Sequence, residues 1–391
     1  MKICHVITRM IVGGAQENTL LTAKGHLLKG HQVTLLTGPS DGPEGKLLEQ
    51  SCPAGLEVVE IPDLIRPLSP WHDYRAWRQL RHFFHDNKFD VVHTHSSKAG
   101  ILGRLAAWQE RVPFVVHTVH GQAFHQYQSQ WKNRLYIGAE RFAARRCHKI
   151  YAVAQAMIDQ CVAAGVAPAD KYQVVYSGMD LEAFLNQRPE PELKAKLGIQ
   201  DGDLVVGKVA RLFELKGHDC LVKAAPMILQ RVPNAKFLLV GDGILRQELE
   251  RQIADLGLTD RFIFAGLVPP GEVCRYTALM DVLAHLSLRE GLPRSAVQGL
   301  AAGAPVVAYP LDGTPEVVLN GKTGFLCEPE NCRQVADRIS ELLLDADLRH
   351  RLGQQGQELV RERFSWQRMS DVLEQEYLRG LASAGACRAS D

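Results

Sequence analysis

Nowhere in the 391 residues is there an apolar run close to the roughly 20 that span a bilayer. The opening MKICHVIT is broken by polar residues, so no secretory leader is expected there. Neither sign of charge dominates: 45 Lys and Arg stand against 44 Asp and Glu, a formal net charge of +1. Nucleic-acid binders usually carry a basic domain, so no nucleic-acid partner is expected. The nine cysteines include no C-x-x-C pair. That argues against a Cys-rich zinc site or a disulfide framework, and suits a reducing, cytoplasmic compartment in which each cysteine is a small buried hydrophobe. Low-complexity tracts and short-period repeats are missing as well.

What is present is an ordinary globular composition, 46% apolar and 23% charged, in a chain too long for one core. Strand and helix patterns alternate almost from the start. Strands are expected at 2–8, 32–37, 57–61, 91–94, 114–118, 150–153 and 173–176, with helical patterns between them, such as those at 73–85 and 101–108. The stretch 39–55 carries Pro, Gly and Asp and reads as a loop. Asn186–Pro191, N-Q-R-P-E-P, reads as a linker. A second series follows, with strands at 204–209, 237–240, 262–264, 282–285, 306–308 and 324–326. Its helices are expected near 219–228, 245–256, 271–279, 294–302, 332–344 and 348–360, and another at 366–378. Parallel strands with right-handed crossovers follow from this rhythm. The expected architecture is α/β, two doubly wound Rossmann-like domains facing a cleft at the carboxyl ends of their strands, where such sheets bind ligands. The expected division is 1–185, a linker at 186–200, 201–365, and a terminal helix and tail at 366–391.

The most informative segment is Arg289-Glu290-Gly291-Leu292-Pro293-Arg294-Ser295-Ala296-Val297-Gln298-Gly299-Leu300. It follows a buried strand and opens a helix. Pro293 suits a first turn, and the amino end of that helix is a place for a phosphate. Gln298 shares a face with Arg294 by i,i+4 spacing. From the residues alone, an anion site and a capped surface loop are equally good readings. Arg211 and Lys216 follow a strand, where two cations suit a diphosphate; solvated surface charge is the other reading. Nine of fifteen histidines fall between 72 and 148. His93, His95, His117, His120 and His125 invite a zinc reading, but no H-E-x-x-H is present and no metal site is expected. Gly321-Lys322-Thr323 lacks the first glycine of a P-loop, and Gly241-Asp242-Gly243 has Arg246 where a dinucleotide fingerprint needs its third glycine.

Together these segments resemble family 4 of the glycosyltransferases, enzymes of the GT-B fold. Arg289–Leu300 looks like that family's E-x7-E motif, and Val209-Ala210-Arg211 with Glu214-Leu215-Lys216-Gly217-His218 looks like its Arg and Lys pair. Gly241-Asp242-Gly243, Phe264-Ala265-Gly266-Leu267, Gly303-Ala304-Pro305 and Asp312-Gly313-Thr314-Pro315-Glu316 fall in the family's order. So do Gly13-Gly14-Ala15-Gln16, His117-Thr118-Val119-His120-Gly121 and Ser177-Gly178 in the first half. Gln298 stands where the family has its second Glu. An amide carbonyl still accepts hydrogen bonds, without charge assistance.

The resemblance implies a retaining hexosyltransferase with no cofactor and no metal. Its donor is a nucleotide diphosphate sugar, UDP favoured, and its acceptor a lipid-linked or glycan precursor. By the same resemblance Arg211 and Lys216 hold the diphosphate, Glu290 and His120 position the sugar, and Gln298 meets the ribose. Gly13, Gly14, Gly243, Leu267, Leu292, Pro293, Arg294 and Ser295 complete the donor site, and the terminal helix crosses back to the first domain. A sugar-nucleotide epimerase and a non-catalytic sugar-nucleotide-binding subunit are the alternatives. From Arg66 to Arg146 thirteen Lys and Arg face five Asp and Glu, with Trp131 and Tyr136 close to Lys132, Arg134, Arg141, Arg145 and Arg146. Peripheral docking of this face on the inner leaflet of the cytoplasmic membrane is one expectation, and a solvated helix face the other.

Overall fold

The computed structural model describes residues 1–40 and 47–389. It divides into two compact units, Met1–Met179 with Ser365–Asp391, and Asp180–Phe364.

The first unit is built on seven parallel strands: β1 (Lys2–Ile7), β2 (Gln32–Thr37), β3 (Glu57–Glu60), β4 (Val91–His95), β5 (Phe114–Val119), β6 (Lys149–Ala152) and β7 (Tyr172–Val174). Their order is β3-β2-β1-β4-β5-β6-β7. The central strands are buried rather than alternating because helices cover both faces; in β4 all five residues are buried, His93, Thr94 and His95 among them. The helix Trp366–Ala389 belongs to this unit. Met369, Leu373 and Tyr377, spaced four apart, form one stripe packed on Ile3, Val91, Phe114, Val116 and Tyr151. Burying a side chain of this size stabilises by about 1.5–3 kcal/mol. Helix Gly14–Leu28 comes so close to the terminal helix that a Cβ on Gly25 would sit 2.1 Å from Ser370 Oγ.

The second unit carries β8 (Leu204–Val209), β9 (Ala235–Val240), β10 (Phe262–Gly266), β11 (Val282–His285), β12 (Val306–Ala308) and β13 (Gly324–Leu326), all parallel, in the order β10-β9-β8-β11-β12-β13. Helices His218–Arg231 and Cys332–Leu344 pack side by side over one core. That neighbourhood joins Cys220 to Cys332 as a disulfide across 112 residues of sequence. For these two cysteines the expectation of a reduced, isolated thiol gives way, since nothing in local sequence reveals which helices lie together. Both sheets reverse strand order at one place, β1/β4 in the first and β8/β11 in the second. In open α/β sheets such a reversal is where a ligand crevice forms at the carboxyl ends of the strands.

Gln130–Ala144 and Gln155–Ala163 are helices, in intervals between strands where helices are expected. The former buries only Ala143 and Ala144, so it lacks the apolar stripe that marks a helix in sequence. Two other segments differ from the pattern expected of them. The stretch 186–200 contains the helix Pro191–Lys196 and is tied into the second unit by Glu190, whose carboxylate accepts from Arg275 Nη2 at 2.7 Å. Within the expected loop 39–55, Leu47–Ser51 is helical, and 41–46 lie outside the described residues.

Candidate active site

In the second unit the β8/β11 crevice is charged. Lys216 donates to Glu290 Oε1 at 2.5 Å. Burial pushes the Glu290 carboxyl up, but the Lys216 ammonium, His285 and a hydrogen bond from Ser287 together hold it below the usual carboxylate range. Beneath the pair lies Lys208, buried on β8 with Nζ 3.4 Å from the Ala284 carbonyl. Burial, then the neighbouring Lys216 charge, lower its pKa to about 7. His285, at the end of β11, is lowered to about 4 by burial against the opposing pull of Glu290. It shares a hydrogen bond with Ser295 Oγ at 3.0 Å, and its Nε2 lies 3.9 Å from Glu290 Oε1.

Two non-glycine residues with left-handed backbone flank this pair. Leu215 has φ 63° and Asp312 has φ 49°. Each such residue costs about 1–3 kcal/mol and persists only where its surroundings fix it. Here the Leu215 carbonyl accepts from Leu288 N at 2.8 Å, and the Asp312 carboxylate accepts from Glu290 N at 2.7 Å. Gly217 (φ 66°) has no room for a side chain, because a Cβ would lie 2.0 Å from the Leu286 carbonyl. The loop carrying Lys216 is thus pinned to the loop carrying Glu290.

Not every expected residue reaches this pair. Arg211 is exposed; its guanidinium lies over the Phe213 ring at 5.1 Å, and its carbonyl accepts from His218 Nε2 at 3.0 Å. Gly243 packs against the same loop, where a Cβ would meet the Leu212 carbonyl at 2.5 Å. Leu292 and Pro293 are buried at the start of helix Arg294–Ala301, which carries Arg294, Ser295 and the half-buried Gln298. Leu267 is 79% exposed beyond β10.

In the first unit Gly13 and Gly14 form the junction into helix Gly14–Leu28. A Cβ at Gly13 would meet the mobile end of Gln16 at 2.7 Å. His120 follows β5 and lines a cavity of about 50 Å³ together with Ser96, Thr118 and Gly121. Its Nε2 lies 2.9 Å from His95 Nδ1. His93 and His95 are fully buried. With His5 they place ligand atoms within 4.8 Å of one another. His117 bonds Thr94 Oγ1 at 3.0 Å, and the His125 carbonyl accepts from Asn133 at 2.8 Å.

Sequence reasoning missed Lys208, His285 and His5. The signal for Lys208 and His5 was a basic residue set inside an apolar strand, L-V-V-G-K-V and K-I-C-H-V-I.

Comparison with known proteins agrees with this layout. Residues 12–183 match the model described as Glycosyltransferase Family 4, and residues 189–359 the model for Glycosyl transferases group 1. A UDP-Gal:alpha-D-GlcNAc-diphosphoundecaprenol alpha-1,3-galactosyltransferase from Escherichia coli is 31% identical over 333 residues, 84% of either chain. The chain belongs to glycosyltransferase family 4. It is therefore a glycosyltransferase. The capsular polysaccharide biosynthesis glycosyltransferase CapM of Staphylococcus aureus is 24% identical over 96% of each chain. Among solved structures, HepE of Anabaena in complex with UDP superposes with a TM-score of 0.80 at 26% identity, over 96% of this glycosyltransferase and 99% of HepE. WaaG, at 17% identity and a TM-score of 0.72, shares the GT-B fold. No helix among the described residues is long and apolar enough to cross a membrane.

Proposed function

We propose that this glycosyltransferase moves a hexosyl group from a UDP-sugar to a lipid-linked or polysaccharide precursor, with retention at the anomeric carbon. The observation that carries the reading is the Lys216–Glu290 pair, held by two pinned loops at the strand-order reversal of the second sheet. Lys216 and Arg211 neutralise the diphosphate, Glu290 accepts from sugar hydroxyls, and Gln298 meets the ribose, with Leu292–Ser295 and Gly243 at the nucleotide. By the family resemblance, Gly13, Gly14 and His120 are also donor-contacting residues. The bond from the anomeric carbon to the diphosphate oxygen breaks, and the bond to the acceptor oxygen forms on the same face. The acceptor proton passes to the departing diphosphate. UDP as the nucleotide is favoured by the UDP and UDP-glucose complexes of HepE and by the donor of the E. coli relative. The lipid-linked acceptor class is favoured by that relative's diphosphoundecaprenol substrate.

A thermal-shift screen of sugar nucleotides, followed by product analysis, tests the reading. A UDP-sugar should stabilise the protein by mass action. UDP should then appear in step with glycosylated acceptor. Stabilisation only by GDP-sugars, or inversion in the product, would overturn the corresponding part.

The acceptor face is proposed to dock on anionic lipid. Trp131, Leu135 and Phe142 on helix Gln130–Ala144 are exposed beside Lys132, Arg134, Arg141 and Arg145. Each cation near an anionic surface contributes about 1 kcal/mol, and salt screens it within about 10 Å at 0.1 M. Flotation with anionic liposomes at low salt should carry the protein upward, and added salt should release it. Protein that stays at the bottom of the gradient would end this part.

A further inference from the structure

Behind His120, three imidazoles are linked in a row. His120 Nε2 lies 2.9 Å from His95 Nδ1, and His95 Nε2 lies 3.0 Å from His5 Nδ1. The row ends at His5 Nε2, a buried atom with no hydrogen-bond partner among the described residues. His5 and His95 have no exposed surface, and burial keeps both rings neutral: His5 is lowered to about 3 and His95 well below the usual range.

A neutral imidazole has one N–H and one lone pair. Two links therefore allow only two arrangements. If the protons point inward from His120, the row finishes with a His5 Nε2–H buried against nothing that accepts it. If they point outward, His5 Nδ1–H donates to His95 Nε2, His95 Nδ1–H donates to His120 Nε2, and His5 Nε2 keeps a bare lone pair. A buried N–H without an acceptor is the rarer orphan. The outward arrangement wins, and it places the single proton of a neutral His120 on Nδ1, away from His95.

A metal would compete for the same atoms. However, both nitrogens of His95 are engaged in the row, and both of His93 are engaged by Tyr377 OH at 2.5 Å and Thr118 Oγ1 at 2.6 Å. Hydrogen bonding already accounts for the cluster.

We propose that His95, backed by His5, is a positioning residue that fixes His120 as a neutral Nδ1–H donor to the sugar-phosphate donor. The proposal rests on the reading of His120 as a donor-site residue. It gives His120 a definite role: its Nε2 lone pair is occupied by His95, so it donates a hydrogen bond to developing negative charge and does not act as a base.

Nitrogen-15 ring spectra of the full chain labelled at histidine test this without any variant. His5, His95 and His120 should all appear as Nδ1–H tautomers, whereas unconstrained imidazole favours Nε2–H. His95→Leu should return His120 to the Nε2–H form and lower kcat about tenfold, with the donor KM within about threefold. His95→Asn, whose amide N–H still donates to His120, should recover most of kcat. An Nε2–H tautomer on His120 in the unaltered protein would overturn the proposal. So would equal losses in the Leu and Asn variants, or stoichiometric zinc carried by the purified protein and lost in His5→Phe. If the tautomers are as expected but His120→Ala keeps full turnover, the placement of His120 at the donor falls and takes the catalytic part of the proposal with it. A wrong tautomer leaves that placement standing.

Discussion

The two parallel sheets reverse strand order at corresponding places, yet they fill the crevice there with different chemistry. Under the first lie neutral imidazoles and hydroxyls: His5, His93, His95 and His117 with Thr94, Thr118 and Tyr377. Under the second lie ions, with Lys216 and Glu290 in contact and the buried Lys208 below them. One backbone topology thus fixes where a site sits and leaves its electrostatics to the residues that end β1, β4, β8 and β11. In the first unit His5, His93 and His95 bond to imidazoles and hydroxyls, and burial keeps these three rings uncharged. The second has Glu290 as counter-charge and keeps a cation where a diphosphate is proposed to bind.

The largest expected effect is the response to acid. His5, His26, His93, His95 and His117 are held below their ordinary pKa by burial, as are His218 and His285 in the second unit. A base with a lowered folded pKa takes its proton first in the unfolded chain. Its contribution is intact above about 6.5 and is lost as pH falls toward the folded value, at about 1.4 kcal/mol per histidine per pH unit. The first unit should therefore open before the second between pH 6.5 and 5, seen as faster hydrogen exchange confined to 1–179 and 365–391. The second unit opening first would break the comparison.

Next comes Lys208. Its pKa of about 7 means that the unfolded chain holds an extra proton from there up to about 10.5, so stability rises with pH across that window. Lys208→Met should raise Tm at pH 7 by several degrees, and the gain should vanish near pH 10.5. A lower Tm at pH 7 would mean that the ammonium is well held.

Third, Arg211→Ala and Lys216→Ala should each lower turnover by about 10²-fold, as loss of an electrostatic stabiliser does. Near-normal turnover in the folded double variant would remove both from the diphosphate. The smallest effect is expected of Gln298→Glu. A carboxylate accepts stronger hydrogen bonds, so calorimetry with UDP should show equal or tighter binding. Weakening beyond tenfold would sink the ribose assignment.

Strand positions were legible because a parallel sheet covered on both faces writes itself as apolar runs; β2, β8, β11, β12 and β13 have the expected bounds. Lys216 and Glu290 were legible as motif residues, but their contact is set by the left-handed backbone at Leu215 and Asp312, for which Leu gives no signal and Asp a weak one. The histidine row was illegible for a related reason. His5 lies 90 residues from His95 in sequence, and only the register of β1 on β4 brings them together. Helix Gln130–Ala144 falls where a helix is expected, although its mostly solvent-facing length carries no apolar stripe.

The return of Trp366–Ala389 to the first unit also bears on how the molecule is made. A growing chain emerges amino end first, and domains generally fold in that order. Here the leading unit waits for Met369, Leu373 and Tyr377 to fill its core, and these are added after all of 180–364. The trailing unit is continuous and ends at Phe364. On the ribosome the order is inverted: the sheet that begins synthesis is the last to close, and His93 finds its Tyr377 partner only after the other sheet is finished.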